Sequence, residues 1–521
     1  MAQPSDTIAD SKGGGEESRG PAAGFGHGRT RPDRTHAGLG QGRRRDARTA
    51  SAHAAASCRL GPAPPVQQQR RGASVTPRGR HAQDVVLPPG SRVRAAVRRV
   101  RHNSLLRNSI LLMAITLLNS TLGYGYWILA ARLLSAPDVG LGAALLSAST
   151  LASILSNMGI SAVLTNVLPK RARGREWSAT FSAGLAGSLL TGLAGAGIGL
   201  AVLLACPTGL SAALHHPVYA LVFVLNVPIW TLTVALDGVF LAERTVQHSL
   251  ARNATSALAK PLLLVAAQGA RELAVLASST LASLLSVLAG LALVVRLRPD
   301  YRPAAHGVLR QLRTHARPAL GQHLITVGGL GPSLLMPVLV ATRLSVAANA
   351  YFYTAWMLGG IFLIVSPAVS SSLFAEGSHS STDLASMAAS CARYIAAILL
   401  PIMVVTFVGG RYLLAVFGPE YARQGTALLR VLVLSAIPDA ITNVYVASLR
   451  VRGQLSQAAL LNLGMAALAI LLTWFLLPVL GIVAAGWAWL VAQTAGSIYV
   501  GVEAARRRRL EHRYANSDQP A

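Results

Sequence analysis

A few ionisable residues lie within long apolar stretches, where a charge needs a chemical reason. Lys260 and Asp439 lie well inside such stretches, Asp237 lies near the end of one, and Arg132 and Arg343 stand at the ends of two others. A charge at the centre of a bilayer costs about 3 kcal/mol on insertion scales, so such residues usually face a cavity or a partner. The three cations could bind a phosphate and the two carboxylates a coupling ion. Arg132 and Arg343, at the ends of their stretches, could instead extend their side chains to lipid head groups.

Uncharged polar residues also occur in the apolar stretches. They could line a cavity and donate or accept hydrogen bonds with sugar hydroxyls, or they could join neighbouring helices by ordinary interhelical hydrogen bonds. The candidates are Asn119, Tyr124, Asn226, Gln268, Asn443 and Gln493.

The elements that must position these residues are membrane-spanning helices. The chain has 521 residues, of which 52% are hydrophobic and only 13% charged, with a mean hydropathy of +0.46. A spanning helix needs about 20 mainly apolar residues. Twelve such stretches predict an all-α integral membrane protein: 108–131, 139–162, 177–206, 217–242, 250–269, 273–296, 319–342, 349–375, 388–409, 426–449, 455–477 and 480–503.

Basic residues predict how these helices are oriented. With the N-terminus in the cytoplasm, segments on the inside hold 26 Lys and Arg, Arg252 and Arg450 among them, and segments on the outside hold 6, which favours two cytoplasmic termini. We expect a disordered basic cytoplasmic tail, a six-helix bundle, a cytoplasmic linker, a second six-helix bundle and a short basic tail. Their predicted ranges are 1–107, 108–300, 301–318, 319–503 and 504–521.

An internal repeat appears at an offset of about 210 residues. Arg132 ends the first predicted helix as Arg343 ends the seventh, and Pro228 of the fourth helix matches Pro438 of the tenth. Each half has six helices, an even number, so both halves share one orientation. The sequence therefore predicts two bundles related by a pseudo-two-fold axis along the membrane normal.

Several function classes receive no support from the sequence. No P-loop, Gly-x-Ser-x-Gly or His-Glu-x-x-His pattern is present, so no enzyme activity, cofactor or metal site is predicted. The three cysteines imply no disulfide framework. In a membrane protein, the net charge of +27 favours anionic lipid head groups over nucleic acid as its partner.

Four segments carry a family resemblance that spans roughly residues 105–505. They are WILAARLLSAPDVG at 127–140, AYFYTAW at 350–356, VFGPEYA at 416–422 and ASLRVRG at 447–453. In this order they resemble the polysaccharide-transporter branch of the multidrug/oligosaccharidyl-lipid/polysaccharide (MOP) flippase superfamily, the Wzx-like lipopolysaccharide and oligosaccharide flippases. Val139 departs from the pattern, because an aromatic residue commonly precedes the glycine. The long Arg-rich N-terminal extension is also unusual for the family.

The resemblance implies a MATE-like fold and a transporter without a catalytic motif. It implies a flippase that moves a lipid-linked oligosaccharide or polysaccharide repeat unit from the cytoplasmic to the outer leaflet of the plasma membrane by alternating access. The expected partners are the lipid-linked saccharide, membrane lipids and other proteins of cell-surface polysaccharide assembly.

Two alternatives remain open from the residues. A cation-coupled multidrug antiporter of the same superfamily would want acidic residues deep in the N-terminal half, where Asp237 is the sole acid and lies near a helix end. A membrane-embedded glycan polymerase or ligase would be expected to present catalytic residues on a sizeable outer loop, and the predicted outer loops are short.

Overall fold

The computed structural model of the protein describes residues 121–303, 316–377 and 384–517, and all regular secondary structure in these ranges is helical. We number the α-helices in chain order within these ranges. They are α1 (121–133), α2 (Ala136–Asn157), α3 (Ile160–Val167), α4 (Arg175–Ala205), α5 (Gly209–Leu214), α6 (Pro217–Ala242), α7 (Val246–Ala267), α8 (Glu272–Leu297), α9 (Ala316–Arg343), α10 (Val346–Gly377), α11 (Leu384–Ala415), α12 (Pro419–Val451), α13 (Leu455–Leu480) and α14 (Val483–Ser517).

Within the described residues, eight helices are long and apolar enough to cross a membrane. The expectation of an all-α fold with several membrane-spanning helices is therefore confirmed. The eight spans are Ala136–Asn157, Arg175–Ala205, Pro217–Ala242, Glu272–Leu297, Leu320–Arg343, Ala389–Ala415, Pro419–Val451 and Leu455–Leu480. The other four predicted stretches overlap α1, α7, α10 and α14.

Two of the departures from the predicted helix boundaries have a clear local cause. The stretch 139–162 is not one helix, because Met158 (φ 45°) and Gly159 (φ 78°) adopt the left-handed conformation and separate α2 from α3. Glycine adopts this conformation at little steric cost, and it commonly ends helices. Beyond 503, the predicted tail continues α14 to Ser517, since 504–517 contains neither Gly nor Pro to stop the helix.

Helix α2 lies at the centre of the molecule. It packs against α4, α6 and α8 of its own half and against α9 and α10 of the other half. Small residues permit this close approach, as is usual for helices in membranes. A Cβ atom on Gly140 would overlap the backbone carbonyl of Val346, and one on Gly142 would lie 2.5 Å from Val275 Cβ.

Two turns lie at one end of the molecule, which we call the turn end (residues 132–138 and 343–349). At the first, Ser135 Oγ accepts from the backbone N–H of Asp138, whose carboxylate accepts from the Ser135 N–H in a reciprocal capping box. At the second, Ser345 Oγ accepts from the N–H of Ala348. The two serines are 210 residues apart, so the same cap recurs at the predicted repeat distance.

The two halves meet near the turn end. Asn349 Nδ2 donates to the carbonyl of Gly140 over 2.7 Å, and a Cβ on Gly140 would lie 3.0 Å from the backbone nitrogen of Ala350. Gly140 and Ala350 are also 210 residues apart. Helices α2 and α10 therefore cross at positions that the sequence repeat makes equivalent.

The segment after α8 is anchored to the N-terminal half. Glu243 forms an ion pair with Arg298 and accepts a 2.7 Å hydrogen bond from Trp177 Nε1. Tyr301 packs edge-on against the Trp177 ring, and the Arg302 N–H donates to Ser178 Oγ. These contacts hold residues 298–302 on the first half, so the predicted linker begins with anchored chain.

Candidate functional site

The polar cavity of the C-terminal half is lined by residues from α9, α10, α12, α13 and α14, and its volume is about 420 Å³. One face of α12 supplies Asp439, Thr442, Asn443, Val446 and Arg450, which recur at the spacing of a single helix face. The opposite face of α12 is apolar and lines a groove against α11. Helix α12 thus separates a polar compartment from an apolar one.

Asp439 lies at the centre of the polar wall and is only 3% exposed. Its carboxylate accepts a 2.9 Å hydrogen bond from Asn443 Nδ2. Next to it, Thr442 Oγ1 donates to Gln493 Oε1 over 2.9 Å. The structure therefore brings three sequence candidates, Asp439, Asn443 and Gln493, into one cavity.

Two tryptophans form the aromatic part of the same wall. Trp356 and Trp489 are each 6% exposed, and their rings meet edge to face with centroids 5.6 Å apart. The indole N–H of Trp489 has no hydrogen-bond partner among the described residues. Neither tryptophan is charged, and neither was among the site candidates that the sequence supplied.

Arg450 is a cation of the cavity that the sequence interpretation assigned to a cytoplasmic segment. It lies in the last turn of α12 and lines the cavity. Eleven residues separate it from Asp439, which is about 16 Å along a helix axis. Asp439 and Arg450 therefore lie at different depths of one wall. The helical spacing of the residues on that face of α12 was the sequence signal that could have identified Arg450.

Lys260 lies elsewhere, in the N-terminal half. Its ammonium group is 5.4 Å from the centroid of the Tyr126 ring, at the distance of a cation–π contact. Tyr126 is buried and its hydroxyl lies 2.9 Å from Ser278 Oγ. On the next residue, the Trp127 ring packs against Tyr353 of the other half with centroids 4.5 Å apart. Lys260 thus lies close to where the halves meet.

Arg132 and Arg343 are exposed at the turn end, and each is engaged by the protein. The Arg132 guanidinium donates to the carbonyl of Val416 over 2.7 and 3.1 Å, which ties α1 to the turn between α11 and α12. The Arg343 guanidinium lies 4.2 Å from the centroid of the Trp474 ring. The structure does not bring either of them to Lys260 or to the polar cavity.

Asp237 is paired with an arginine. Arg252 Nη2 lies 2.7 Å from Asp237 Oδ1, and Ser249 donates to the same carboxylate. Arg252 is fully buried and also donates to Ser286 Oγ over 2.9 Å. The sequence interpretation counted Arg252 among the cytoplasmic charges; in the structure α7 begins at Val246 and Arg252 is buried inside the bundle.

The remaining polar candidates lie in different environments. Asn226 is fully buried and bonds Ser149 and Thr280, so it joins three helices of the N-terminal half. Tyr124 donates to the carbonyl of Met357 over 3.0 Å, which links α1 to a residue that lines the polar cavity. Gln268 is exposed in the short turn after α7. Asn119 lies outside the described residues.

Known proteins share this fold. An inward-closed structure of the lipid II flippase MurJ is 13% identical, with a TM-score of 0.60, over 76% of this chain and 87% of that one. An inward-facing structure of a multidrug resistance MATE transporter of the MOP superfamily is 12% identical, with a TM-score of 0.58, over 77% of this chain and 99% of that one. An outward-facing structure of a multidrug resistance MATE transporter of the MOP superfamily is 14% identical, with a TM-score of 0.54, over 78% of this chain and 95% of that one. No curated protein matches the chain by sequence.

The N-terminal part of the chain also matches a family by sequence. Residues 105–314 match the model described as polysaccharide biosynthesis protein. This range covers the predicted first bundle and most of the predicted linker, and it includes the segment 127–140, the first of the four segments that carry the resemblance. The predicted resemblance is thus confirmed: the chain has the fold of MOP-superfamily transporters and carries the polysaccharide biosynthesis family match over residues 105–314.

Proposed function

We propose that this chain is a flippase that moves a lipid-linked oligosaccharide or polysaccharide repeat unit across the plasma membrane, from the cytoplasmic to the outer leaflet. The family match over residues 105–314 supports the connection to polysaccharide synthesis. A lipid II flippase and multidrug transporters share the fold, so the fold alone is compatible with a lipid-linked or a free small-molecule cargo.

The crossing of α2 and α10 at Gly140 and Ala350 is the observation that carries the mechanism. When residues one repeat apart touch each other, the pseudo-two-fold axis of the repeat passes close to their contact. Two six-helix bundles related by such an axis, twelve spans in all, can rock about it and open alternately to each side. In the proposed orientation both termini are cytoplasmic and the turn end faces outward.

Charges in the two halves take different roles in this proposal. Asp439 is the ion-coupling candidate, because it is a buried carboxylate in a cavity and no salt bridge to it occurs in the described ranges. Asp237 is the weaker coupling candidate, because Arg252 already neutralises it. Lys260 is the phosphate candidate nearest the meeting of the halves, whereas Arg132 and Arg343 stay candidates for an outer binding step at the turn end.

The experiment is to delete the gene and profile lipid-linked saccharides by mass spectrometry, before and after treating intact cells with membrane-impermeant periodate. Periodate cleaves vicinal diols, so it modifies only saccharides exposed on the outer leaflet. We expect the deletion strain to accumulate a complete lipid-linked unit that periodate does not modify. Re-expression of the chain should restore the normal amount and the normal exposure.

The alternatives give different results in the same experiment. Unchanged lipid-linked saccharides together with raised drug sensitivity would indicate a multidrug antiporter. Single repeat units that accumulate and are oxidised by periodate would indicate a polymerase or ligase, because flipping would then be intact. Either result would contradict the proposed function.

A further inference from the structure

We propose that the apolar groove between α11 and α12 holds the hydrocarbon chain of the lipid-linked cargo, a single polyprenyl-type chain, with its phosphate beside Arg393. This inference rests on the proposed function and deepens it, because it assigns a site to the lipid part of the cargo. The groove lies on the face of α12 opposite the polar cavity.

The groove is concave because small side chains line it. Alanines recur four residues apart on both helices, at Ala392 and Ala396 of α11 and at Ala436 and Ala440 of α12. Residues four apart lie on one face of a helix, so two faces with little side-chain volume meet along the groove. The space between them is about 390 Å³. One narrow groove of this kind suits a lipid with one chain better than a phospholipid with two.

The groove covers about one leaflet of the membrane. It runs along 392–403 of α11 and 436–448 of α12, which are about 16 and 18 Å long by helical rise. The hydrocarbon core of a bilayer is about 30 Å thick. Helix α12 begins three residues after Val416, to which Arg132 of the turn end is bonded, and it ends at Val451. In the proposed orientation the groove is therefore in the cytoplasmic leaflet, where the cargo is loaded.

The groove and the polar cavity come together at the last turn of α12. Ser448 lines the groove and Arg450, two residues later, lines the cavity. A lipid-linked saccharide has an apolar chain and a polar saccharide with a phosphate between them. Two compartments of matching polarity thus lie on either side of one helix, and the phosphate belongs at the end where they meet.

Arginines surround this cytoplasmic end of the groove. Arg393 stands at the start of the groove on α11, Arg450 lies in the last turn of α12, and Arg506 follows Val500 of the groove on α14. All three arginines are exposed, and together they exceed the charge of Glu503 at the same end. Positive charge at the end of an apolar groove complements a phosphate that carries a hydrocarbon chain.

The test is photolabelling of the purified full chain in phosphatidylcholine nanodiscs. The probe is geranylgeranyl phosphate with a diazirine in its last isoprene unit, and mass spectrometry identifies the labelled peptides. We expect the label on α11 and α12 at the end of the groove near Met403 and Ala436. Decaprenyl phosphate should compete at least about tenfold better than phosphatidylglycerol, which has a phosphate but two chains.

Two neighbouring alanines of α11 supply a matched pair of variants. Ala396 and Ala397 are both exposed, and of the two only Ala396 lines the groove. Ala396→Phe places a ring in the groove and should reduce labelling at least about tenfold, because the chain and the ring cannot occupy one space. Ala397→Phe should be labelled as the wild type is. Size-exclusion chromatography checks that each variant is folded and monodisperse.

Arginine variants test the placement of the phosphate. Arg393→Gln should weaken competition by decaprenyl phosphate about fivefold, which is the upper range for an exposed charge, and leave competition by the uncharged alcohol decaprenol unchanged. Arg393→Lys keeps the charge and should lose less. Arg411 is exposed near the other end of α11, so Arg411→Gln should behave as the wild type does.

Each contrary outcome decides a different claim. Equal competition by phosphatidylglycerol, or equal labelling of the two phenylalanine variants, indicates an ordinary lipid-facing surface and overturns the groove. A dimer that Ala396→Phe breaks would place a second copy of the chain there instead. Normal competition in Arg393→Gln overturns the placement of the phosphate. In all these cases the proposed function stands if the periodate experiment still shows an unflipped lipid-linked unit; if the deletion strain shows none, the proposed function fails whatever the groove binds.

Discussion

The buried pair of Arg252 and Asp237 gives an asymmetric prediction about stability. Arg252 has a fully buried side chain, whereas the side chain of Asp237 is 42% exposed. The arginine therefore depends on the protein for its partners, which are Asp237, Ser286 and Asn253, while the carboxylate also reaches solvent. Removing one member should not cost the same as removing the other.

The magnitudes follow from what each substitution leaves behind. Asp237→Asn leaves a buried guanidinium without a counter-charge, and breaking a buried pair in this way costs about 3–5 kcal/mol. The bond from Arg252 to Ser286 remains, so we expect the lower end, about 3 kcal/mol. Arg252→Met leaves a carboxylate that water can reach and fills the space with an apolar side chain, so we expect a loss of about 1 kcal/mol or less.

The measurement is reversible unfolding of the purified full chain in a mixed-micelle SDS titration, followed by circular dichroism. The double variant Asp237→Asn with Arg252→Met should be more stable than Asp237→Asn alone, because it removes the unpaired charge. The exposed pair Glu420–Arg423 is the matched control, and Glu420→Gln should leave the unfolding free energy unchanged. Equal losses from Asp237→Asn and Arg252→Met would refute the reasoning.

Three further predictions concern transport by the full chain in proteoliposomes. Gly140→Ala places a methyl group against the Val346 carbonyl and should slow transport at least about tenfold. Gly464→Ala adds a methyl group in open space and should leave the rate unchanged. Equal rates for the two variants would show that the contact at Gly140 does not take part in the transport motion. Asp439→Asn should still transport cargo but lose the acceleration that an imposed ion gradient gives the wild type. Asp300→Asn changes an exposed acid and should keep that acceleration. Lys260→Ala should lower the transport rate about tenfold. The paired change Arg132→Ala with Arg343→Ala should lower it less, because the Arg132 guanidinium already contacts Val416 and the Arg343 guanidinium already contacts Trp474. The opposite order of effects would place the phosphate path at the turn end.

The sequence predicted the helical fold well because apolar stretches of spanning length are a strong signal in lipid. It also predicts an internal repeat, since Arg132 and Arg343, and Pro228 and Pro438, recur at an offset of about 210 residues. The break between α2 and α3 escaped, because Met158 and Gly159 lie in an apolar run whose hydropathy does not change there. A conformational break of one or two residues leaves hydropathy almost untouched.

The candidate site was predicted only in part, because the sequence does not show how deeply a charged residue near a helix end is buried. Asp439, Asn443 and Gln493 were recognisable as polar groups in apolar helices. Arg450 and Arg252 were assigned to cytoplasmic segments because each lies near the end of an apolar stretch, and charge counting cannot tell a loop arginine from one that points back into a bundle. The true helix boundaries decide this: α7 begins four residues before its predicted stretch, and α12 ends two residues after its predicted stretch.

Trp489 could not have been selected from the sequence at all. Tryptophan is common in membrane proteins at the lipid interface, and nothing in its neighbours marks an indole without a hydrogen-bond partner. That property depends on helices that are distant in the sequence. It is visible only once α10, α12 and α14 enclose the same space.

Equivalent helices of the two halves have polar residues in opposite circumstances. Helix α6 carries Pro228 where α12 carries Pro438, at the repeat distance. Asn226 on α6 is fully buried and forms hydrogen bonds with Ser149 and Thr280 of its own bundle. On α12, Asp439 and Asn443 face a cavity instead. Under the proposed function, a duplicated scaffold has therefore kept one half as a tightly bonded body and opened the other for the ligand.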